Sequence, residues 1–495
     1  MMRGITWASI IAALIVPVRT ARAQRYDSLS VAVKRFVRVG TPRVILTHIT
    51  VIDGTGAPAM RDRNVIIENG RIAAIRDGAD ETASTGTAVL DLRGSTVMPG
   101  IVGMHEHLFY LVFPGIQAGG SFDPPSMFQE MAFSAPRLYL AAGVTTARTA
   151  GSVEPYTDLR LRQTIESGAT PGPHLFVTGP YLEGASDTPW PSAWQLTGPD
   201  DARQLVAYWA DHGVTSFKAY QHITRAELAA AIAEAHTRGL KVTGHLCSVT
   251  YAEAVAAGID NLEHGFFVNT ALDPGKEPDT CSAARGDSTL MRLAPGSAEA
   301  NQLIALLVEH HVAITSTLPS TAASLPRSDP FVSQPAARTE VWEAMSPSAR
   351  EAYVFRSTRA GATSAGAALL LRRDMELERA FVAAGGLLIS GADPVGVNAL
   401  IPGFADQRQI ELLVDAGFTP VEAIRIATLN GAIFLGRDAT IGSIAIGKNA
   451  DLVIVKGDPS VRIGDIENVT IVFKDGVGYD SAKLLEAVRG HYGDY

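Results

Sequence analysis

Short apolar runs, each closed by a polar residue, alternate along the chain with segments of helical period, a pattern that predicts parallel strands joined by crossover helices. The candidate strands are Ile101–His107, Val144–Thr149, His174–Thr178, Val214–Tyr220, Leu240–His245, Ile259–His264, Val312–Thr317 and Gly386–Gly391. Gly213, Gly239, Gly258 and Gly386 mark helix ends, and a strand follows each of them. The box Thr224-Arg-Ala-Glu227 starts one of the intervening helices. Eight strands in regular βα alternation close into a (β/α)8 barrel, here spanning 99–436. Outside it, Val44–Val51, Asn64–Glu68, Arg71–Ile75 and Ala88–Leu92 read as short strands, as do Ile444–Ile446, Asp451–Lys456 and Val469–Lys474. The fold class is therefore α/β, a barrel with a small β-sandwich domain built from both chain ends, 24–98 and 437–495. Thr419-Pro-Val-Glu422 caps the helix that precedes the last group.

The polar residues that close the barrel strands carry the candidate chemistry. Alternate strand residues point the same way, so His105 and His107 can present two imidazoles to one metal ion. Alone, such a pair is more often an ordinary polar strand end. Lys218, His245, His264 and Asp393 close four further strands, five to seven residues after their glycines. A barrel gathers such positions at the carboxyl ends of its strands, where active sites of this fold form.

Five segments, Pro99-Gly-Ile-Val-Gly-Met-His-Glu-His107, Ser216-Phe-Lys-Ala-Tyr220, Thr243-Gly-His245, Glu263-His-Gly265 and Ser390-Gly-Ala-Asp-Pro394, carry a resemblance to the amidohydrolase superfamily. Val51-Ile-Asp-Gly-Thr-Gly56 and Gly442-Ser-Ile-Ala-Ile-Gly-Lys-Asn-Ala-Asp-Leu-Val453 extend it over nearly the whole chain. The branch it looks most like holds imidazolonepropionase-like and Xaa-Pro dipeptidase-like members. The resemblance implies two divalent metal ions, zinc by donor type, one on His105, His107 and Asp393 and the other on His245 and His264. Lys218 would bridge them as a CO2-derived carbamate, because a protonated lysine offers no lone pair. Water activated by the ions would attack, and Asp393 would serve as the catalytic proton carrier. The implied reaction is hydrolysis of C–N bonds in a small amide or dipeptide. A cyclic-amide hydrolase or lactonase on the same site, or a non-catalytic ligand-binding barrel, remains open.

Arg148 closes the second strand and can bind a substrate carboxylate or form a salt bridge to a loop. Tyr220 and His222 continue beyond Lys218 towards the mouth, where either can bind substrate or pack the rim. His48, His174, His212, His236, His310, His311 and His491 fall away from the strand ends and receive no role. The stretches Phe109–Phe128 and Glu183–Asp200, the latter with Trp190 and Trp194, suggest a partly apolar lid. Phe266–Pro295 and Pro319–Arg338 are further insertions that build the pocket or decorate the surface.

At 495 residues and 46% hydrophobic content the chain can bury one large core and a smaller one. Arg3, an apolar run and Ala21-Arg-Ala23 predict a signal peptide over 1–23, with a periplasmic or secreted mature protein and no stable membrane insertion. Its removal takes Arg3, Arg19 and Arg22 and no acid, moving the net charge from −9 to about −12, against any nucleic-acid partner. A homo-oligomer is left open. Cys247 and Cys281 are too few for a disulfide scaffold. The default for Cys247 is a small packed side chain, with a pairing to Cys281 open in an oxidising compartment.

Overall fold

The computed structural model describes residues 26–112, 127–186, 193–323, 325, 338–357, 364–396 and 399–495. The expected signal peptide, Trp190 and parts of the expected loops 109–128 and 319–338 lie outside them. Two parallel sheets form the barrel wall. One runs His174–Phe176, Val144–Thr149, Ile101–Glu106; the other runs Trp194–Gln195, Thr178–Glu183, Ser216–Ala219, Lys241–Gly244, Asn261–Glu263, Ala313–Ser316, Leu388–Ser390. They are continuous through the third strand, which is interrupted at Val177. Its first half pairs with Val144–Thr149 and its second with Ser216–Ala219. The ring closes where the backbone N–H of Asp393 donates to His105 O at 2.9 Å. Gly391 is required there, because a Cβ would meet the His105 backbone nitrogen at 2.6 Å.

Helices return the chain between strands and are capped as the sequence predicts. Thr224 and Glu227 form a reciprocal capping box on Arg225–Thr237, and Thr250 with Glu253 does the same for Tyr251–Ala257. The second helix stops at Gly258, whose φ of 90° suits glycine. Inside the barrel lies a polar layer rather than an apolar one. Arg148 Nη1 and Thr243 Oγ1 both donate to Asn261 Oδ1 at 2.9 Å, and Asn261 Nδ2 donates to Thr315 Oγ1 at 3.0 Å. These side chains fill the space beneath the strand ends and satisfy one another, as buried polar groups must.

Both chain ends pair into one mixed sheet of nine strands. Ser95–Pro99 lies between Leu452–Lys456, antiparallel, and Arg43–Val51, parallel, which joins the amino-terminal strands to the carboxyl-terminal ones. Val44, Leu46 and Val65 from one end pack against Ile454, Ile471 and Phe473 from the other. The hydrophobic pattern misses Val37–Val39, Ser95–Pro99 and Val477–Asp480, which are strands. Ile444–Ile446 is not one: Ile444 N donates to Asp53 O and the chain turns away, leaving Ile446 68% exposed.

Candidate metal centre

All six strand-end residues converge at the carboxyl mouth of the barrel. His105 is fully buried, its Nδ1 2.7 Å from Glu263 Oε2 and its Nε2 3.1 Å from Lys218 Nζ. Asp393 Oδ1 lies 3.0 Å from His107 Nε2 and 3.5 Å from His105 Nε2. The His264 ring centroid stands 4.6 Å from that of His105 and 4.5 Å from that of His245. Ligand atoms of His105, His264 and Asp393 all lie within 4.8 Å of one another.

Local backbone conformation explains this convergence. His245 extends its strand by one rung, its N–H donating to Ala219 O at 3.0 Å. His264 and Asp393 instead leave their strands in the left-handed region, at φ 63° and 52°. Non-glycine residues hold that conformation at a cost of order 1–3 kcal/mol, and such strain clusters at functional sites. The kink turns both side chains across the mouth.

Electrostatics leave these groups as electron-pair donors. Burial pushes His245 down to about 3 and His107 to about 4, and holds His264 well below the usual imidazole range, so all three are neutral at neutral pH. Burial also lowers Lys218 to about 8. For Asp393, burial works against ionisation, but the imidazoles of His105 and His107 beside it outweigh burial and keep the carboxyl well below its ordinary value. His264 Nδ1 is bound to Thr317 Oγ1 at 2.8 Å, and its buried Nε2 has no hydrogen-bond partner. Glu263 similarly occupies His105 Nδ1 and leaves Nε2 to face the site. A carboxylate or hydroxyl behind the imidazole is the usual way to orient a metal-binding histidine, so this donor set fits divalent ions.

Arg148 requires a correction. It is 1% exposed, lies beneath the mouth, and spends its donors on Met104 O (2.7 Å from Nε), Asn261 Oδ1 and Glu263 Oε1 (2.6 Å from Nη2), so it cannot reach a substrate. Its work is to hold Glu263: burial opposes that carboxylate, and the guanidinium with His105 keeps it charged. Arg148→Met is expected to destabilise the protein by about 3–5 kcal/mol by stranding a buried charge. Urea unfolding measures this, and a loss under about 1 kcal/mol would show that Glu263 does not depend on it.

Tyr220 forms part of the wall, its ring 5.0 Å from Tyr181 and 4.9 Å from His245. His222 sits at the rim over Glu183, whose Oε1 accepts the His222 backbone N–H at 2.6 Å. Cys247 is not free: it forms a disulfide with Cys281, Cα–Cα 4.7 Å, which staples the 266–295 insertion to the strand bearing His245. His174 joins Asp451 and Asp475 in a second cluster at the opposite, amino-terminal end of the strands, its Nε2 3.2 Å from Asp475 Oδ2. The sequence reading assigned no role to Glu263, although it stands beside His264. Gln221, whose Nε2 is 3.4 Å from His245 Nε2, was also missed, and no spacing signals it.

Comparison with known proteins agrees with this geometry. The imidazolonepropionase of Parabacteroides distasonis (strain ATCC 8503 / DSM 20701 / CIP 104284 / JCM 5825 / NCTC 11152) is 31% identical over 136 residues, 26% of this chain and 32% of that protein. Adenine deaminase 4 of Rhizobium meliloti (strain 1021) is 35% identical over 85 residues, 17% of this chain and 14% of that protein. The match thus spans about a third or less of the length of these curated relatives. The crystal structure of an Xaa-Pro dipeptidase with methionine bound in its active site shares the fold, with a TM-score of 0.64, 21% identity, and coverage of 88% of this chain and 100% of that one. The sequence model of the amidohydrolase family matches residues 96–478, most of the chain and every residue gathered at the mouth, so the chain belongs to the amidohydrolase family of hydrolases.

Proposed function

We propose that the protein hydrolyses amide-type C–N bonds of small molecules at a centre of two divalent ions, zinc by donor type, held by His105, His107 and Asp393 and by His245 and His264, with carboxylated Lys218 between them. The observation that carries this reading is the meeting of six potential ligands at one barrel mouth, with His264 Nε2 buried and unpartnered. Bound there, the ions would acidify a water and polarise the scissile carbonyl.

The chain's own residues supply the remainder. Carboxylation requires the neutral amine, which attacks CO2 to give a carbamate and a released proton. An ordinary lysine has fewer than about one such amine in a thousand at pH 7. At about 8, Lys218 has roughly one in ten. Asp393, ionised and held beside both strand histidines, accepts the proton of the attacking water and delivers it to the leaving nitrogen. Tyr181 and Tyr220 wall the mouth with rings on one side, which suits a substrate of dipeptide or N-acyl amino acid size.

Export is part of the proposal. It rests on the apolar amino-terminal run ending at Ala21-Arg-Ala23, and the Cys247–Cys281 bond is consistent with an oxidising compartment. Among the described residues no helix is long and apolar enough to cross a membrane. Amino-terminal sequencing of the exported protein should read from Gln24.

The decisive experiment combines elemental analysis with a hydrolysis screen over dipeptides, N-acyl amino acids, cyclic amides and lactones. Close to two divalent ions per chain and turnover on the linear amides are expected. Preference for lactones or cyclic amides would move the substrate class, and full turnover in metal-free protein would end the metal reading.

A further inference from the structure

The insertion after the sixth barrel strand brings a guanidinium to the rim of the site and is pinned there at several points. Cys281 is bonded to Cys247, two residues beyond His245. Thr270 Oγ1 donates to Cys247 O at 2.7 Å, and Lys276 Nζ donates to Ser248 O at 2.6 Å. Within the insertion, buried Asp273 accepts the backbone N–H groups of Gly286 and Thr289 at 2.8 Å, and also the hydroxyl of Ser282. Arg285 lies between two of those held residues, its backbone in the left-handed region at φ 49°. The loop is therefore built rather than loose, and it fixes where Arg285 stands.

Arg285 leans over the mouth. Its Nη1 contacts Gln221 Oε1 at 3.5 Å, and Gln221 Nε2 is 3.4 Å from His245 Nε2. Of the other basic side chains at the site, Arg148 is committed to Glu263 and Lys218 is spent as the carbamate of the proposed centre. Arg285 has no ion pair among the described residues and is exposed to an incoming ligand. A guanidinium one side chain away from a hydrolytic centre is suited to a planar anion, which it binds by two parallel hydrogen bonds.

We propose that Arg285 is the anchor for the free α-carboxylate of the substrate, so that the enzyme prefers dipeptides and N-acyl amino acids over the same compounds capped at the carboxyl end. The assignment rests on the hydrolase reading above and adds to it the group that selects the substrate class. Carboxylates are monovalent anions at working pH, and a hydrogen-bonded charge pair of this kind accounts for selectivity of roughly 10- to 100-fold.

The test uses the full mature protein, metal-loaded and with its disulfide intact, assayed on N-acetyl amino acids and dipeptides beside their carboxyl-terminal amides. Arg285→Gln is expected to lower the acid-to-amide ratio of kcat/KM by roughly 10- to 100-fold, mostly through KM, and Arg285→Lys to keep part of it. An unchanged ratio in Arg285→Gln overturns the proposal while leaving the hydrolase reading intact. A wild type that loads metal but hydrolyses none of the panel overturns that reading alone. In that event calorimetric titration with N-acetyl amino acids still decides: weaker binding to Arg285→Gln supports the anchor, and equal binding removes it.

Discussion

Asp393→Asn is expected to fold normally, keep much of its metal, and lose at least about two orders of magnitude in turnover. Asparagine is nearly isosteric and retains one oxygen where Asp393 Oδ1 now stands 3.0 Å from His107 Nε2. It also tolerates the left-handed backbone that Asp393 adopts at φ 52°, so the turn before Pro394 should survive. What it cannot do is accept and return a proton. General acid–base assistance is a factor of about a hundred to ten thousand, and that is the part removed. If Asp393 served only to shape the turn, asparagine would do almost as well. Native thermal stability with nearly native turnover would therefore take Asp393 out of the mechanism.

Lys218→Ala should lose metal and activity together. The side chain is 2% exposed and its Nζ faces His105 Nε2, so truncation removes the group proposed to bridge the two ions and leaves a cavity beside Tyr181 and Tyr220. Loss of lesser supporting contacts already weakens metal binding by about 10- to 100-fold, and a bridging group should cost more. A short carboxylic acid added to the variant should restore part of both properties by occupying the cavity with a carboxylate. Metal analysis and turnover, with and without the acid, read the outcome. Near-native values in the unrescued variant would show that Lys218 is only a buried lysine.

Both experiments concern residues that are readable in the chain, whereas the supporting residues around them are not. His105 and His107 announce themselves by strand spacing, and Lys218, His245, His264 and Asp393 by their distance after a helix-ending glycine. Arg148 shows the limit of such reasoning. It too closes a strand, yet its side chain runs under the mouth to Glu263 and Asn261, because a buried carboxylate behind His105 needs a counter-charge. Position along a strand says which end of the barrel a residue occupies, but not whether a long side chain points up to solvent or down into the polar layer.

The same limit applies to the second sheet and the loops. Ile444–Ile446 has an apolar pattern without a strand, while Ser95–Pro99 is the strand that joins the two chain ends. Pairing partners separated by more than three hundred residues leave no local trace, since a strand's apolar alternation reports a buried face and not a neighbour. Cys247 and Cys281 are 34 residues apart in the chain and become partners only because the insertion after His264 folds back over the strand that ends at His245.

Local periodicity, capping boxes and the residues at strand ends were thus enough to determine the barrel, its functional end and the set of chemical groups available there, because each depends on short-range backbone geometry. Tertiary packing alone decided which of those groups face one another, how Glu263 and Thr317 orient His105 and His264, and how Arg285 comes to stand beside Gln221. Those outcomes depend on the direction of side chains and on contacts between distant segments, which are set by how the whole core fills and satisfies its buried polar groups.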